Sequence, residues 1–369
     1  MNIIIFLIIL LVLVLVHEFG HFFSAKKFGI RVDEFGFGFP PKLFGIKRGE
    51  TEYTLNLLPL GGFVKIFGEN PDEENINGPD AGRSFIHRPK YQQAIVLFAG
   101  IFMNFVLAWL LFSFGFLSGL PTSVNSDIGA YNVSDVHTVI VSVLPDSPAF
   151  KAGIKTGDKV VAVSYIDSKN KIEELREITP DTLKSFVLKH PNDEINISYI
   201  RGKDKVFENT KLTPEIKNGN PAIGVSMDQI GIAKLPVLKA IVEGMSLTIN
   251  VTKGTVVGLY TLVRDGIQGK GSLDSVTGPV GMVGIVGDAY EFGFVYLISF
   301  AALISVNLAI INFLPFPALD GGRLFFLLIE TIKGSPLNPK ITNTANAIGF
   351  GLLLLLMLFV TYHDIVKLF

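Results

Sequence analysis

The sequence predicts a polytopic α-helical membrane protein: four transmembrane helices, a β-hairpin after the first, and an α+β domain inserted between the second and the third. Three observations carry this prediction. Four runs are almost purely apolar, each near the roughly 20 residues that cross about 30 Å of hydrocarbon. Charged residues make up only 18% of the 369-residue chain and hydrophobic ones 49%, against about 25% charged in ordinary soluble domains. The polar residues are gathered between the apolar runs rather than spread evenly.

The first span covers Asn2 to Phe22. No positive charge precedes it and no small-residue cleavage site follows, so it reads as a retained span and not a cleaved signal. The second runs from Ala94 to Leu117, with Asn104 its only strongly polar side chain, the third from Phe294 to Phe313 and the fourth from Ala347 to Tyr362. The connection from Ser24 to Gln93 is rich in Lys and Arg, and that between the third and fourth spans carries Arg323, Lys333 and Lys340. The positive-inside rule puts both connections in the cytoplasm, leaving the termini and the central segment outside.

Within the first connection, Gly36 to Pro41 is followed by apolar or alternating runs, Lys42 to Lys47 and Thr51 to Leu58, around Arg48-Gly49-Glu50, and then by Gly61 to Ile66. This predicts a small β-hairpin or sheet, apolar enough to sit in or against the bilayer. Non-helical backbone at that depth must pair with protein or line a cavity. Asn70 to Arg83 reads as a polar loop. The central segment, 125–228, has soluble composition. Its candidate strands are Val139 to Leu144 and Lys159 to Val163, its candidate helix is Pro180 to Lys189, and Glu194 to Ile200 with Lys205 to Leu212 form a hairpin around Arg201-Gly202-Lys203-Asp204. Leu235 to Ile267 is helical but interrupted by Lys239, Glu243, Lys253, Arg264 and Asp265, which favours an amphipathic surface helix over a fifth span. The expected divisions are 1–124, membrane; 125–228, soluble; 229–293, an extracytoplasmic amphipathic region; and 294–369, membrane.

The net charge of −1 gives no sign of a nucleic-acid partner. The absence of cysteine excludes thiol nucleophiles, thiolate ligands and disulfides, and leaves the redox compartment open.

The chemistry is concentrated in His17-Glu18-Phe19-Gly20-His21. Two histidines four apart on a helix share a face about 6 Å apart along the axis, so both imidazoles reach one metal. Zinc is the metal this pattern implies, and Glu18 is placed as general base for the attacking water. Ionisable groups at the end of an apolar helix are costly and mark function. A catalytic zinc takes a third protein ligand. The best candidate is Asp320, in Asn312 to Gly322, where Pro315 and Pro317 break the helix and Gly321-Gly322 allows close backbone approach. A helix N-cap is the plain alternative for Asp320, and Glu330 and Asp364 are rival ligands.

His17-Glu18-Phe19-Gly20-His21 with Leu319-Asp320-Gly321 resembles the site-2 protease family of intramembrane metalloproteases, in its bacterial RseP branch. Gly61 to Lys65, Gly100 to Phe105, Gly278 to Gly281 and Ser305 to Arg323 agree, so the resemblance covers nearly the whole chain. It implies one Zn2+ per chain, hydrolysis of peptide bonds in single-span membrane proteins such as anti-sigma factors and remnant signal peptides, and a role in regulated intramembrane proteolysis in the bacterial inner membrane. It also implies that the hairpin is re-entrant and holds an unwound substrate as an added strand, with Gly61, Gly62 and Phe63 as contacts. Asn312, Pro315 and Pro317 are implied at the substrate backbone. Asn104 and Asn307 match positions that pack helices or support the site. Leu144 to Ala149 and Ala152 to Asp158 resemble a single PDZ domain, whose groove binds peptide or whose bulk excludes large ectodomains. Two other classes compete: a non-proteolytic scaffold, which has no use for Glu18, and a metal transporter, which needs ionisable groups along several spans.

Overall fold

The computed structural model describes residues 1–69, 77–124, 133–166, 171–202, 206–217, 219–269 and 277–366, with backbone only at 59 and 60. Part of the expected 70–83 loop and the hairpin turn at 203–205 therefore lie outside the described residues. In chain order, helix α1 (Asn2–Lys27) is followed by strands β1 (Val32–Arg48) and β2 (Thr51–Ile66) and helix α2 (Lys90–Ser118). Next come β3 (Leu120–Ser123), β4 (Ser134–Val143), the short helix α3 (Pro148–Lys151), β5 (Lys159–Ile166), β6 (Ile172–Leu175) and helix α4 (Pro180–Lys189). Strands β7 (Ile195–Arg201), β8 (Val206–Leu212), β9 (Glu215–Lys217), β10 (Asn220–Ala222) and β11 (Val225–Ala233) follow. Helices α5 (Val237–Ile267), α6 (Pro279–Phe292), α7 (Phe294–Phe313), α8 (Asp320–Lys333) and α9 (Pro339–Val366) complete the order.

Among the described residues four helices, α1, α2, α7 and α9, are long and apolar enough to cross a membrane. They contain the expected spans and extend past three of them, because helical backbone continues into flanking polar turns. The charge-interrupted α5 is not one of the four. The chain divides into two compact units, Met1–Phe112 with Gly244–Gly287 and Phe300–Phe369, and Ser113–Glu243 with Asp288–Ser299.

In the first unit, small residues bring helices into contact. A Cβ on Gly20 of α1 would lie 2.3 Å from the Ala99 carbonyl oxygen of α2, so only glycine permits this approach. Ala108 and Phe112 of α2 are buried with Ala302 and Val306 of α7, and Leu247 and Val251 of α5 pack against them. Two polar contacts reinforce that group: Ser305 Oγ donates to the Asn104 carbonyl (2.8 Å) and Thr255 Oγ1 to Asn307 Oδ1 (3.1 Å).

The hairpin is longer than the sequence suggests and is folded on itself. Arg48 pairs with Thr51 and Lys47 with Glu52 at its turn. Phe35, however, pairs with both Val64 and Tyr53, and Gly36 with both Phe63 and Thr54. The first half of β1 therefore lies between the two halves of β2, and Gly61 to Ile66 forms an outer edge. Gly36 to Pro41, ahead of the expected runs, belongs to β1. The turn is tied down by Glu50, whose carboxylate takes hydrogen bonds from Lys26 Nζ (2.5 Å) and Arg83 Nη2 (2.9 Å).

The second unit is built on a seven-stranded sheet, order β3-β11-β4-β5-β7-β8, with β6 paired to β5. The sheet begins at Leu120 and runs to Ala233, past the expected 125–228 stretch at both ends. Helix α4 falls where expected. Pro180 sits in its first turn, and Thr179 and Thr182 form a reciprocal capping box. Its Leu183, Phe186 and Val187 recur at helical spacing and join Ile140, Val163, Ile195 and Ile197 in the core.

Candidate metal centre

The apolar run of α1 ends in His17, and one helical turn later His21 follows on the same face; each is 7% exposed. Helix α2 fixes the second ring. His21 Nδ1–H donates to the Val96 carbonyl at 2.8 Å. A carbonyl only accepts, so the proton sits on Nδ1 and the Nε2 lone pair is left free. Gly100 makes room for that ring, since a Cβ there would stand 2.2 Å from His21 Nε2.

Asp320 arrives from the other end of the chain through a tight turn after α7. A Cβ on Gly321 would lie 2.3 Å from the carbonyl oxygens of Phe313 and Leu314, and one on Gly322 would lie 2.2 Å from that of Phe316. Ala318 holds the left-handed conformation, φ 77°, and its N–H is anchored on Asn346 Oδ1 at 3.1 Å. Such strain in a non-glycine residue costs about 1–3 kcal/mol and clusters at functional sites. Leu319, not Asp320, occupies the N-cap position of α8, and no side chain caps that helix. The carboxylate is thus free to turn toward α1.

There Asp320 Oδ2 lies 2.9 Å from His17 Nε2 and 3.2 Å from His21 Nε2, and the two Nε2 atoms are 3.2 Å apart. Despite these short distances Asp320 Oδ2 is buried without a hydrogen-bond partner among the described residues. Lone-pair atoms crowded this way repel one another unless a proton or a metal ion lies between them. Two imidazoles and a carboxylate are the protein donor set of a catalytic zinc, so the residues present fit that ion. His17, His21 and Asp320 form the one such group of three among the described residues. The rivals are engaged elsewhere: Glu330 pairs with Lys90 and accepts from Leu337 N, while Asp364 accepts from Gly278 N and Gly281 N.

Glu18 faces the same space, within interaction range of His21, His17, Asp320 and the Val64 backbone N–H. Val64 lies on the outer edge of β2. Gly62, two residues earlier, must be small: a Cβ there would lie 2.9 Å from the Gly36 carbonyl, 3.3 Å from the Leu15 side chain and 3.8 Å from Glu18 Cγ. Gly61 is buried near Val14, and Phe63 stacks on Phe39, ring centres 6.5 Å apart. Arg323, one turn beyond Asp320, pairs with Glu69 and lies within range of Glu18. Asn312 sits half-buried in the last turn of α7 and Pro315 is exposed. The Pro317 carbonyl abuts Gly349 of α9. No hydrogen bond or ion pair among the described residues ties these three to the histidines.

Sequence reasoning missed Val64 N–H and the Val96 carbonyl, which as backbone groups leave no residue-type signal. It missed the Arg323–Glu69 pair, although Arg323 stands three residues after Asp320 on one helix face. Gly100 was noticed only as part of a resemblance, and its spatial role depends on helix packing.

Comparison with known proteins identifies the family of the chain. The model of peptidase family M50 matches residues 5–356. A Clostridium perfringens protein provisionally named a zinc metalloprotease is 36% identical over 365 residues, spanning 96% of this chain and 95% of its own. The Bacillus subtilis protein named regulator of sigma-W protease RasP is 31% identical over 444 aligned positions, spanning 100% of this chain and 99% of its own. The zinc metalloprotease RasP of Geobacillus kaustophilus is also 31% identical, over 445 positions, 100% of this chain and 98% of its own. Matched almost from end to end, and carrying a buried donor set that suits its metal, the chain belongs to peptidase family M50, the site-2 protease family of zinc metalloproteases, and is a membrane protein.

Proposed function

We propose that this protein is an intramembrane endopeptidase that cleaves single-span membrane proteins, with His17, His21 and Asp320 as zinc ligands and Glu18 as general base. The observation that carries the proposal is the convergence of three buried donor atoms beside Glu18 on a helix long and apolar enough to span the bilayer. Zinc, when bound, supplies a Lewis acid for the scissile carbonyl and acidifies the attacking water. Glu18 takes the water's proton and returns it to the leaving amide nitrogen. The Val64 N–H holds the carboxylate in place for both transfers.

The substrate helix must unwind before its peptide bond is accessible, and a strand edge favours the extended form through main-chain hydrogen bonds. The edge from Gly61 to Ile66 suits this role better than the far side of the hairpin, because its Val64 already reaches Glu18. Gly61, Gly62 and Phe63 are accordingly the proposed substrate contacts, the hairpin being re-entrant, with Asn312, Pro315 and Pro317 facing the substrate from the end of α7 and the turn after it. The proposed setting is the bacterial plasma membrane, the active site toward the cytoplasm and the sheet-bearing unit outside as a single PDZ domain. That domain would bind substrate tails or exclude bulky ectodomains. The sigma-W regulation named for the Bacillus subtilis relative suggests anti-sigma factors, alongside remnant signal peptides, as substrates for regulated intramembrane proteolysis.

The test is Glu18→Gln in purified full-length protein. Cleavage of a single-span substrate should fall about 10²–10⁴-fold, the usual contribution of a positioned base, while zinc content stays near one per chain. Undiminished cleavage would sink the assignment of Glu18.

A further inference from the structure

We infer that Asn104 is a positioning residue for the metal: its carboxamide oxygen accepts the Nδ1 proton of His17 and so keeps the His17 Nε2 lone pair available to the ion. The inference rests on the proposal that His17 is a ligand. It goes beyond it by assigning a task to a polar side chain in the middle of an otherwise apolar span.

The argument begins with the difference between the two histidines. His21 has an unambiguous partner in the Val96 carbonyl, which admits one tautomer only. His17 has Asn104. The Asn104 side chain is fully buried, with Nδ2 placed 3.2 Å from His17 Nδ1. Read literally, that arrangement makes His17 Nδ1 the acceptor and moves the ring proton to Nε2, where it blocks coordination. The other end of the amide does not hold the literal reading in place. Asn104 Oδ1 is buried and has no hydrogen-bond partner among the described residues. The two ends of a carboxamide exchange by a half-turn, and their assignment follows from the surrounding network. The half-turn breaks no bond at the far end, because none is made there. It places an acceptor on His17 Nδ1, giving both histidines the same tautomer and leaving both Nε2 atoms as donors to one ion.

Asn104 is also well held for this purpose. Its own carbonyl accepts from Ser305 Oγ of α7 at 2.8 Å. The contact fixes the backbone of α2 against α7 at the level of His17. Metal-bound imidazoles almost always hand their second nitrogen to such an acceptor, and removing it costs about 10–100-fold in metal affinity. Simple helix packing is the competing role for a buried asparagine between spans, and the two roles predict opposite rankings of substitutions.

The experiment measures zinc affinity by chelator competition in the full-length protein in detergent, with apo-protein melting as a check on folding. Asn104→Leu removes the acceptor but keeps the branched shape. It should weaken zinc about 10–100-fold and leave apo melting near that of the wild type. Asn104→Asp keeps an oxygen in place and should bind zinc within a few-fold of the wild type. The absorption bands of the cobalt-loaded protein should change for Asn104→Leu and stay for Asn104→Asp. Wild-type zinc affinity in Asn104→Leu, or weaker binding in Asn104→Asp than in Asn104→Leu, would overturn the inference and leave packing as the role. His17→Ala separates the two levels. If it keeps wild-type affinity, the ligand assignment fails and this inference with it; if it loses zinc while Asn104→Leu does not, only the inference fails.

Discussion

Asp158 and Asp320 are both acids set among nitrogen atoms, one in each unit, and they are finished differently. Asp158 is 1% exposed. Its Oδ1 accepts from Arg201 Nε at 2.7 Å, and its Oδ2 from Arg201 Nη2 at 2.6 Å and Lys155 N at 2.8 Å. The same guanidinium reaches the Gly153 carbonyl and lies over the Tyr199 ring. Each carboxylate oxygen faces a hydrogen. Asp320 Oδ2 lies 2.9 and 3.2 Å from two imidazole nitrogens, but among the described residues it is left without a hydrogen bond. A closed polar network ties the loop after α3 to β7 and serves the fold. An open one of lone pairs suits a ligand, because a bound cation completes it.

The largest expected effects come from exchanging the fates of these two acids. Asp158→Ala strands the Arg201 guanidinium, and breaking a buried pair this way costs about 3–5 kcal/mol. Denaturant unfolding of the second unit should shift by that amount while zinc content is unchanged. Asp320→Ala should do the opposite: most zinc is lost, while unfolding of the apo protein shifts much less than it does for Asp158→Ala. A severe stability loss in apo Asp320→Ala would erase the distinction between closed and open networks.

A smaller effect sharpens the open side. Gly100→Ala puts a Cβ 2.2 Å from His21 Nε2. The ring must move, or α1 must separate from α2 at the Gly20–Ala99 contact. Zinc affinity should fall by at least about 10-fold, in line with disturbed ligand orientation, with the helical content seen by circular dichroism retained. Unchanged affinity would mean that the ring adapts and that close helix packing is not what positions it.

These cases show where sequence reading stops. The spans and the His17–His21 face were legible because both rest on a period along one helix. Helix α4 was legible because its cap, its Pro180 and its apolar stripe agree. Asp320 was legible as a candidate, but its freedom from N-capping was not, since Leu319 takes that position only once the turn after α7 is folded. The doubled pairing of β1 was not legible: alternation says which face a side chain takes, not which of two neighbours its backbone bonds. Strands β3 and β11 pair across more than a hundred residues, and no local pattern announces a partner at that distance. The donors and acceptors that orient Glu18 and His21 are main-chain atoms of Val64 and Val96, so their roles depend on tertiary placement alone.

Glu50 offers the weakest test, and it concerns a third kind of acid, one that is paired yet wet. Hydrogen bonding from Arg83, then Lys26, holds its pKa down at about 2, against the usual carboxylate value near 4.3. A carboxylate depressed in the folded state stabilises fully above its unfolded pKa, and the contribution fades as pH falls through the folded one. Glu50→Gln should therefore melt slightly lower than wild type at pH 7, with the two proteins converging between about pH 4 and pH 2. Its side chain is 30% exposed, so solvent and salt screen the pair and the difference at pH 7 should stay below about 1 kcal/mol. The gap should shrink further in high salt, as it would not for Asp158, whose oxygens are shielded from ions. A gap that persists unchanged at pH 2 and in high salt would mean that Glu50 anchors the hairpin turn through shape and neutral hydrogen bonding. The ion pair with Lys26 and Arg83 would then be incidental to the way β1 and β2 are fastened to the end of α1.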